Sequence, residues 1–171
     1  MDPLHYLAYG SNLYPARLRE RVASARSVGK TELVGWSLRF HKRGLDGSGK
    51  CDIVPTGDAT DRVHAAVYAI AADHLPALDR VEDLGRSYRR QTLDIDRFGR
   101  VFCYVADSAY VDPGLRPYDW YLAYVLAGAL WHGFPTDYCA RLRGLSVLPD
   151  PDRARATAHR IAIDHPLRLR R

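Results

Sequence analysis

Along this chain of 171 residues, apolar positions come first in short runs and only later at helical spacing. Leu4 to Tyr9 is a compact apolar run, the mark of a short buried strand, and it stops at the turn signal Gly10-Ser11-Asn12. Pro15 then opens a helical stretch through Val22, because proline suits the first turn of a helix. Strand patterns follow at Thr31 to His41, Cys51 to Val54 and Val63 to Ile70, with Gly47-Ser48-Gly49 marking a loop between the first two. Ala72 to Val81 reads as a helix, with Leu75, Leu78 and Val81 or Glu82 along one side. Ser87 to Ile95 and Arg100 to Val105 predict a hairpin turning around Phe98-Gly99. A loop from Asp107 to Arg116 precedes a helix from Pro117 to about Trp131, and a short helix follows Pro135.

Strands that neighbour one another early, with helices few and late, predict an α+β domain. The expectation is a mixed, mainly antiparallel curled sheet or a small β-barrel flanked by a few helices. One such domain over residues 1–150 accounts for the pattern, followed by a basic tail over residues 151–171. The net charge of +5 changes the picture only there. Six arginines against two aspartates give residues 152–171 a charge of +4, leaving +1 for the rest. The body is therefore not a basic nucleic-acid-binding domain, and the tail reads as a solvated terminus. The longest apolar stretch, Leu122 to Trp131, is about half of what a bilayer-spanning helix requires. Asp2 and His5 stand where a secretory leader would be basic, and no apolar h-region follows them, so a cytoplasmic protein is expected. Cys51, Cys103 and Cys139 lack the spacing of a zinc site, which predicts buried thiols, no disulfide and no metal. The Gly10 turn lacks the later glycines of a dinucleotide fingerprint, and no P-loop pattern is present, so no cofactor is expected.

Three features carry candidate chemistry. A strand ending in Tyr9-Gly10-Ser11-Asn12-Leu13 and turning toward a helix can present consecutive backbone N–H groups to an oxyanion; the plain reading is a turn with a helix cap. Asp79, Glu82 and Asp83 crowd the end of a helix, where a carboxylate works against the macrodipole; the plain reading is solvated surface acids. Tyr104 on a strand and Tyr121 on a helix can offer phenolic donors, or simply pack.

Taken in order, these features resemble the γ-glutamylcyclotransferase family, of AIG2-like type, over residues 4 to 148. The opening strand and loop are matched by Ala8 through Leu13, and the acidic segment by Leu78, Asp79, Glu82 and the following Tyr88. The strand tyrosine is matched by Tyr104 in Cys103-Tyr104-Val105. Tyr121, Gly128-Ala129 and Gly133-Phe134-Pro135 reproduce the spacing of the late part. The resemblance implies an enzyme without cofactor or metal that cyclises a γ-glutamyl group to 5-oxoproline and releases the attached amine or amino acid. It further implies a small-molecule γ-glutamyl substrate, no nucleic-acid or membrane partner, and a monomer or homodimer. Glu82 would be the catalytic acid/base. Tyr9, Gly10, Ser11, Asn12 and Leu13 would hold the substrate carboxylate or the developing oxyanion, and Tyr104 and Tyr121 would orient the substrate or Glu82. One departure stands out: many relatives have Gly directly after the Glu, and here Asp83 follows. Two other expectations share the fold: removal of a γ-glutamyl protecting group in a biosynthetic pathway, and a non-catalytic ligand-binding module.

Overall fold

The computed structural model describes residues 3–167. Seven strands, β1 (Leu4–Ala8), β2 (Arg26–Val34), β3 (Trp36–Arg43), β4 (Gly49–Pro55), β5 (Arg62–Ile70), β6 (Tyr88–Ile95) and β7 (Gly99–Ala106), form most of the first two-thirds. Helices α1 (Pro15–Arg21) and α2 (Leu75–Val81) interrupt them, and α3 (Asp119–Trp131), α4 (Thr136–Arg143) and α5 (Arg153–Leu167) follow. A five-stranded sheet runs β2-β5-β1-β7-β6, and β3 and β4 form a separate ribbon. All pairings are antiparallel except β1 with β7, where Tyr6 stands opposite Phe102. The domain is thus α+β with a mixed, mainly antiparallel sheet. Of the two arrangements expected, the open one forms: β2 and β6 are free edges, and the sheet does not close into a barrel.

The central strands are the most buried. Leu7 and Ala8 of β1 and Val63, Ala65, Ala66, Val67, Tyr68 and Ile70 of β5 are fully or almost fully removed from water. Each of the leucine, valine and isoleucine side chains among them contributes about 1.5–3 kcal/mol by burial. The run Thr31 to His41 is two strands rather than one. Gly35, at φ +79, occupies the left-handed region, so β2 stays in the main sheet while β3 turns away to pair with β4.

The basic segment also differs from the expected solvated terminus. Residues 153–167 form α5, and Ala156, His159 and Ile163 recur on one helical face against α3. Ala156 and Ile163 are buried, and the His159 ring stacks 3.8 Å from Trp120. Arg155 clasps the buried Asp150 with two hydrogen bonds of 2.7 and 2.6 Å, and Arg160 reaches Asp119 at 2.6 Å. Arg168, Arg170 and Arg171 lie outside the described residues. Among the described residues no helix is long and apolar enough to cross a membrane, and the three cysteines are buried and free.

Candidate functional site

β1 delivers the chain to Gly10, residues Ser11–Leu13 make one 3-10 turn, and α1 starts at Pro15. The amides that open such a turn have no earlier carbonyl to meet, so they remain available in front. Behind, the turn is tightly seated. A Cβ on Gly128 of α3 would fall 2.3 Å from Leu13 Cβ and 2.6 Å from the Tyr14 nitrogen, so only glycine lets α3 lie this close. The Leu13 carbonyl accepts from the Tyr68 hydroxyl at 2.8 Å, with His132 Nε2 3.0 Å away. Leu13 therefore faces the core and anchors the bend; it does not line the pocket in front of it. Gly10 has its own close neighbour: a Cβ there would meet Cys51 Cβ at 2.9 Å.

Glu82 caps the C-terminal end of α2 and turns its carboxylate toward this bend. Its Oε1 accepts from Asn12 Nδ2 at 2.8 Å and from Arg21 Nη1 at 3.4 Å. Asn12 also donates to the Tyr6 hydroxyl at 3.0 Å and accepts from Arg21 at 2.7 Å. Arginine can only donate, so these contacts fix the orientation of the Asn12 amide. Asn12 is 3% exposed, and its side chain is a bracket for Glu82. Asp83 next to it lies at φ 53, in the left-handed region that Gly favours and Asp tolerates. Glycine would adopt that backbone conformation without a side-chain penalty.

Between Glu82 and the bend lies a small pocket of about 30 Å³ lined by Tyr9, Gly10, Ser11, Asn12, Tyr104 and Tyr121, together with Tyr6, Cys51 and Tyr88. The rings are locked by their hydroxyls. Tyr9 donates to the Tyr104 carbonyl, Tyr104 to Asp79 at 2.7 Å, and Tyr88 to the Cys51 carbonyl at 2.7 Å, while Tyr121 accepts from the Cys51 amide at 3.1 Å. Tyr104 thus reaches Asp79 rather than Glu82. Burial, above all, pushes Tyr6, Tyr9, Tyr88, Tyr104 and Tyr121 well above the usual phenol range, so the wall consists of neutral hydroxyls. Among the described residues no group of His, Cys, Asp and Glu is arranged to hold a metal ion.

Of the residues singled out from sequence, Glu82, Tyr9, Gly10, Ser11, Asn12, Tyr104 and Tyr121 meet at this one pocket. Arg21, Tyr6 and Cys51 were not anticipated. Arg21 shares a helix with Arg17 and Arg19 and carries no local mark of its role.

Comparison with known proteins agrees with the fold. Residues 62–142 match the AIG2-like family. A solved structure called gamma-glutamyl cyclotransferase superposes with a TM-score of 0.75 at 21% identity, covering 86% of this chain and 90% of that one. The uncharacterized protein loc79017 from Homo sapiens gives the same values. YkqA from Bacillus subtilis follows with a TM-score of 0.69 at 20% identity, over 86% of this chain and 57% of that one. No curated protein matches.

Proposed function

We propose that this chain, which has the AIG2-like, γ-glutamylcyclotransferase-type fold, cyclises a γ-glutamyl group to 5-oxoproline and releases the attached amine or amino acid. The observation that carries this reading is the single carboxylate of Glu82 facing the bend at Gly10–Asn12 across a small, tyrosine-walled pocket. The substrate's own α-amine is the nucleophile, so catalysis consists largely of freezing the bent conformer that brings nitrogen to the γ-carbonyl. A narrow pocket with locked rings suits that task.

Proton bookkeeping then needs one acid/base. Glu82 takes a proton from the α-ammonium, the freed amine attacks the γ-carbonyl, and the C–N bond to the leaving group breaks as Glu82 returns the proton to that nitrogen. Attack leaves a second surplus proton on the ring nitrogen, and it passes through the same carboxylate to the departing amine, which leaves as an ammonium, so the reaction has no net proton change. A positioned carboxylate of this kind is worth about 10²–10⁴-fold. Asn12 and Arg21 occupy Oε1, and Oε2 has no hydrogen bond among the described residues, which leaves it for the transfer. Backbone N–H groups of the bend meet the substrate α-carboxylate or the oxyanion; one such donor is typically worth about 3–4 kcal/mol in the transition state.

The test is direct: incubate the protein with γ-glutamyl amino acids and γ-glutamyl amines and measure 5-oxoproline. Folded protein that turns over none of them overturns the proposal.

A further inference from the structure

A wider cleft opens beside the tyrosine pocket and shares Ser11, Glu82, Tyr88 and Tyr121 with it. Its wall is rich in cations. Arg17, Arg21, Lys42, Lys50 and Arg155 line it, against the carboxylates of Asp46, Glu82 and Asp83. Most of these cations are already engaged. Lys50 donates to Asp46 at 2.7 Å, Arg155 clasps Asp150, and Arg21 is held by Asn12 and Glu82.

Lys42 is different. It is 6% exposed, its ammonium lies 4.3 Å from the centre of the Tyr88 ring, and no carboxylate or other acceptor engages it among the described residues. Glu82, Asp83 and Asp46 act on it only at longer range, and burial still holds its pKa below the usual lysine range. Arg17 is 8% exposed, lies 4.1 Å from the Tyr124 ring, and its Nε is buried without a partner. Removing a cation from water is costly unless an anion compensates it. Here the compensating anion has room to enter, because the ammonium borders an open cleft. The field in that cleft is felt by His159 on its far wall. Burial first, then Arg17, Lys50, Arg155 and Arg21, lower its pKa to about 4.

We propose that this cleft receives the leaving portion of the substrate and that Lys42 pairs with a carboxylate on it. The enzyme then selects γ-glutamyl compounds whose amine portion is an anion, such as an amino acid or peptide, over γ-glutamyl amines. This rests on the cyclotransferase reading of the adjoining pocket. Tyr88 belongs to both spaces, so a leaving group extending from the reacting carbonyl past Tyr88 passes beside the Lys42 ammonium.

γ-Glutamylglycine and γ-glutamylmethylamide differ by a single carboxylate and provide the test. With the native chain, kcat/KM for 5-oxoproline formation is expected to favour the glycine compound by roughly tenfold or more, the worth of one charged hydrogen bond. Lys42→Gln should narrow that gap, and Lys42→Arg should largely keep it. Equal kcat/KM for the two compounds in the native protein overturns the proposal, whatever the variants do. Calorimetric binding of both compounds to Glu82→Gln separates the two readings. Tighter binding of the glycine compound, with no 5-oxoproline made by native protein, upholds the anion cleft and removes the cyclotransferase reading. Turnover of both compounds with equal binding does the reverse. Absence of both binding and turnover removes both.

Discussion

On one side of Glu82 the walls are phenol rings whose hydroxyls stay protonated and whose hydrogen bonds are spent on the protein itself. On the other side the walls are lysine and arginine, with two of the five cations lacking a carboxylate partner. The first space is suited to holding one fixed shape, because locked rings and backbone amides do not move to accommodate alternatives. The second is suited to attracting charge over a range of sizes, because long basic side chains reach an anion from several directions. A glutamyl group is the same in every substrate, while the amine attached to it varies. In the function proposed above, the two chambers divide recognition along that line.

The comparison is broken most severely at the residue that both spaces share. Glu82→Gln keeps an acceptor for Asn12 and Arg21, so the thermal midpoint should stay close to native while kcat falls by about 10²–10⁴-fold for every substrate. Undiminished turnover would move the chemistry, with Asp83 the first suspect. Gly128→Ala should come next. Its new methyl meets Leu13 and Tyr14 backbone, an overpacking worth about 1–3 kcal/mol in chemical denaturation. Because it presses on the bend and not on the cleft, it should lower kcat/KM for γ-glutamylglycine and γ-glutamylmethylamide alike and leave their ratio unchanged.

The smallest effect sharpens the cationic side. His159 binds a proton less readily folded than unfolded, so its contribution to stability is complete above about pH 6.5 and is lost as pH falls toward about 4. His64 and His132, lowered chiefly by burial, act in the same sense. His159→Gln should therefore flatten part of the decline in thermal midpoint over that window. Burial is the main cause at His159 and repulsion by the cations the lesser one. Raising salt should accordingly lift its NMR titration only modestly, by screening the arginines and lysines. No movement at all would assign the depression to burial alone.

Much of the pocket could be read from sequence because its parts are carried by local signals. A strand stopping at Gly10-Ser11-Asn12, a proline opening α1, and an acid at the end of α2 are each visible within a few residues. The spacing of Tyr121 to Gly128 also proves physical: one residue lines the pocket, and the other allows α3 to sit on the bend. The cleft was hidden for the opposite reason. Lys42 stands between His41 and Arg43, just past the strand expected to end at His41, and its place over the Tyr88 ring depends on a residue far away in sequence. α5 is a similar case. Its arginines read as a solvated run, while the alanine, histidine and isoleucine face that docks it shows its worth only against Trp120. Gly35 lies within a continuous strand pattern, and its positive φ, which splits that pattern into two sheets, has no signature in the flanking residues.

Bends that bind ligands are commonly soft, but Ser11, Asn12, Leu13 and Tyr14 are between 0% and 7% exposed, as deeply placed as the central strands. With its carbonyl gripped from behind by Tyr68, this segment should open to solvent only when the whole molecule does, so its amides should exchange hydrogen among the slowest in the chain. Heating should then leave catalytic competence intact up to the cooperative melt, with no softer loss preceding it.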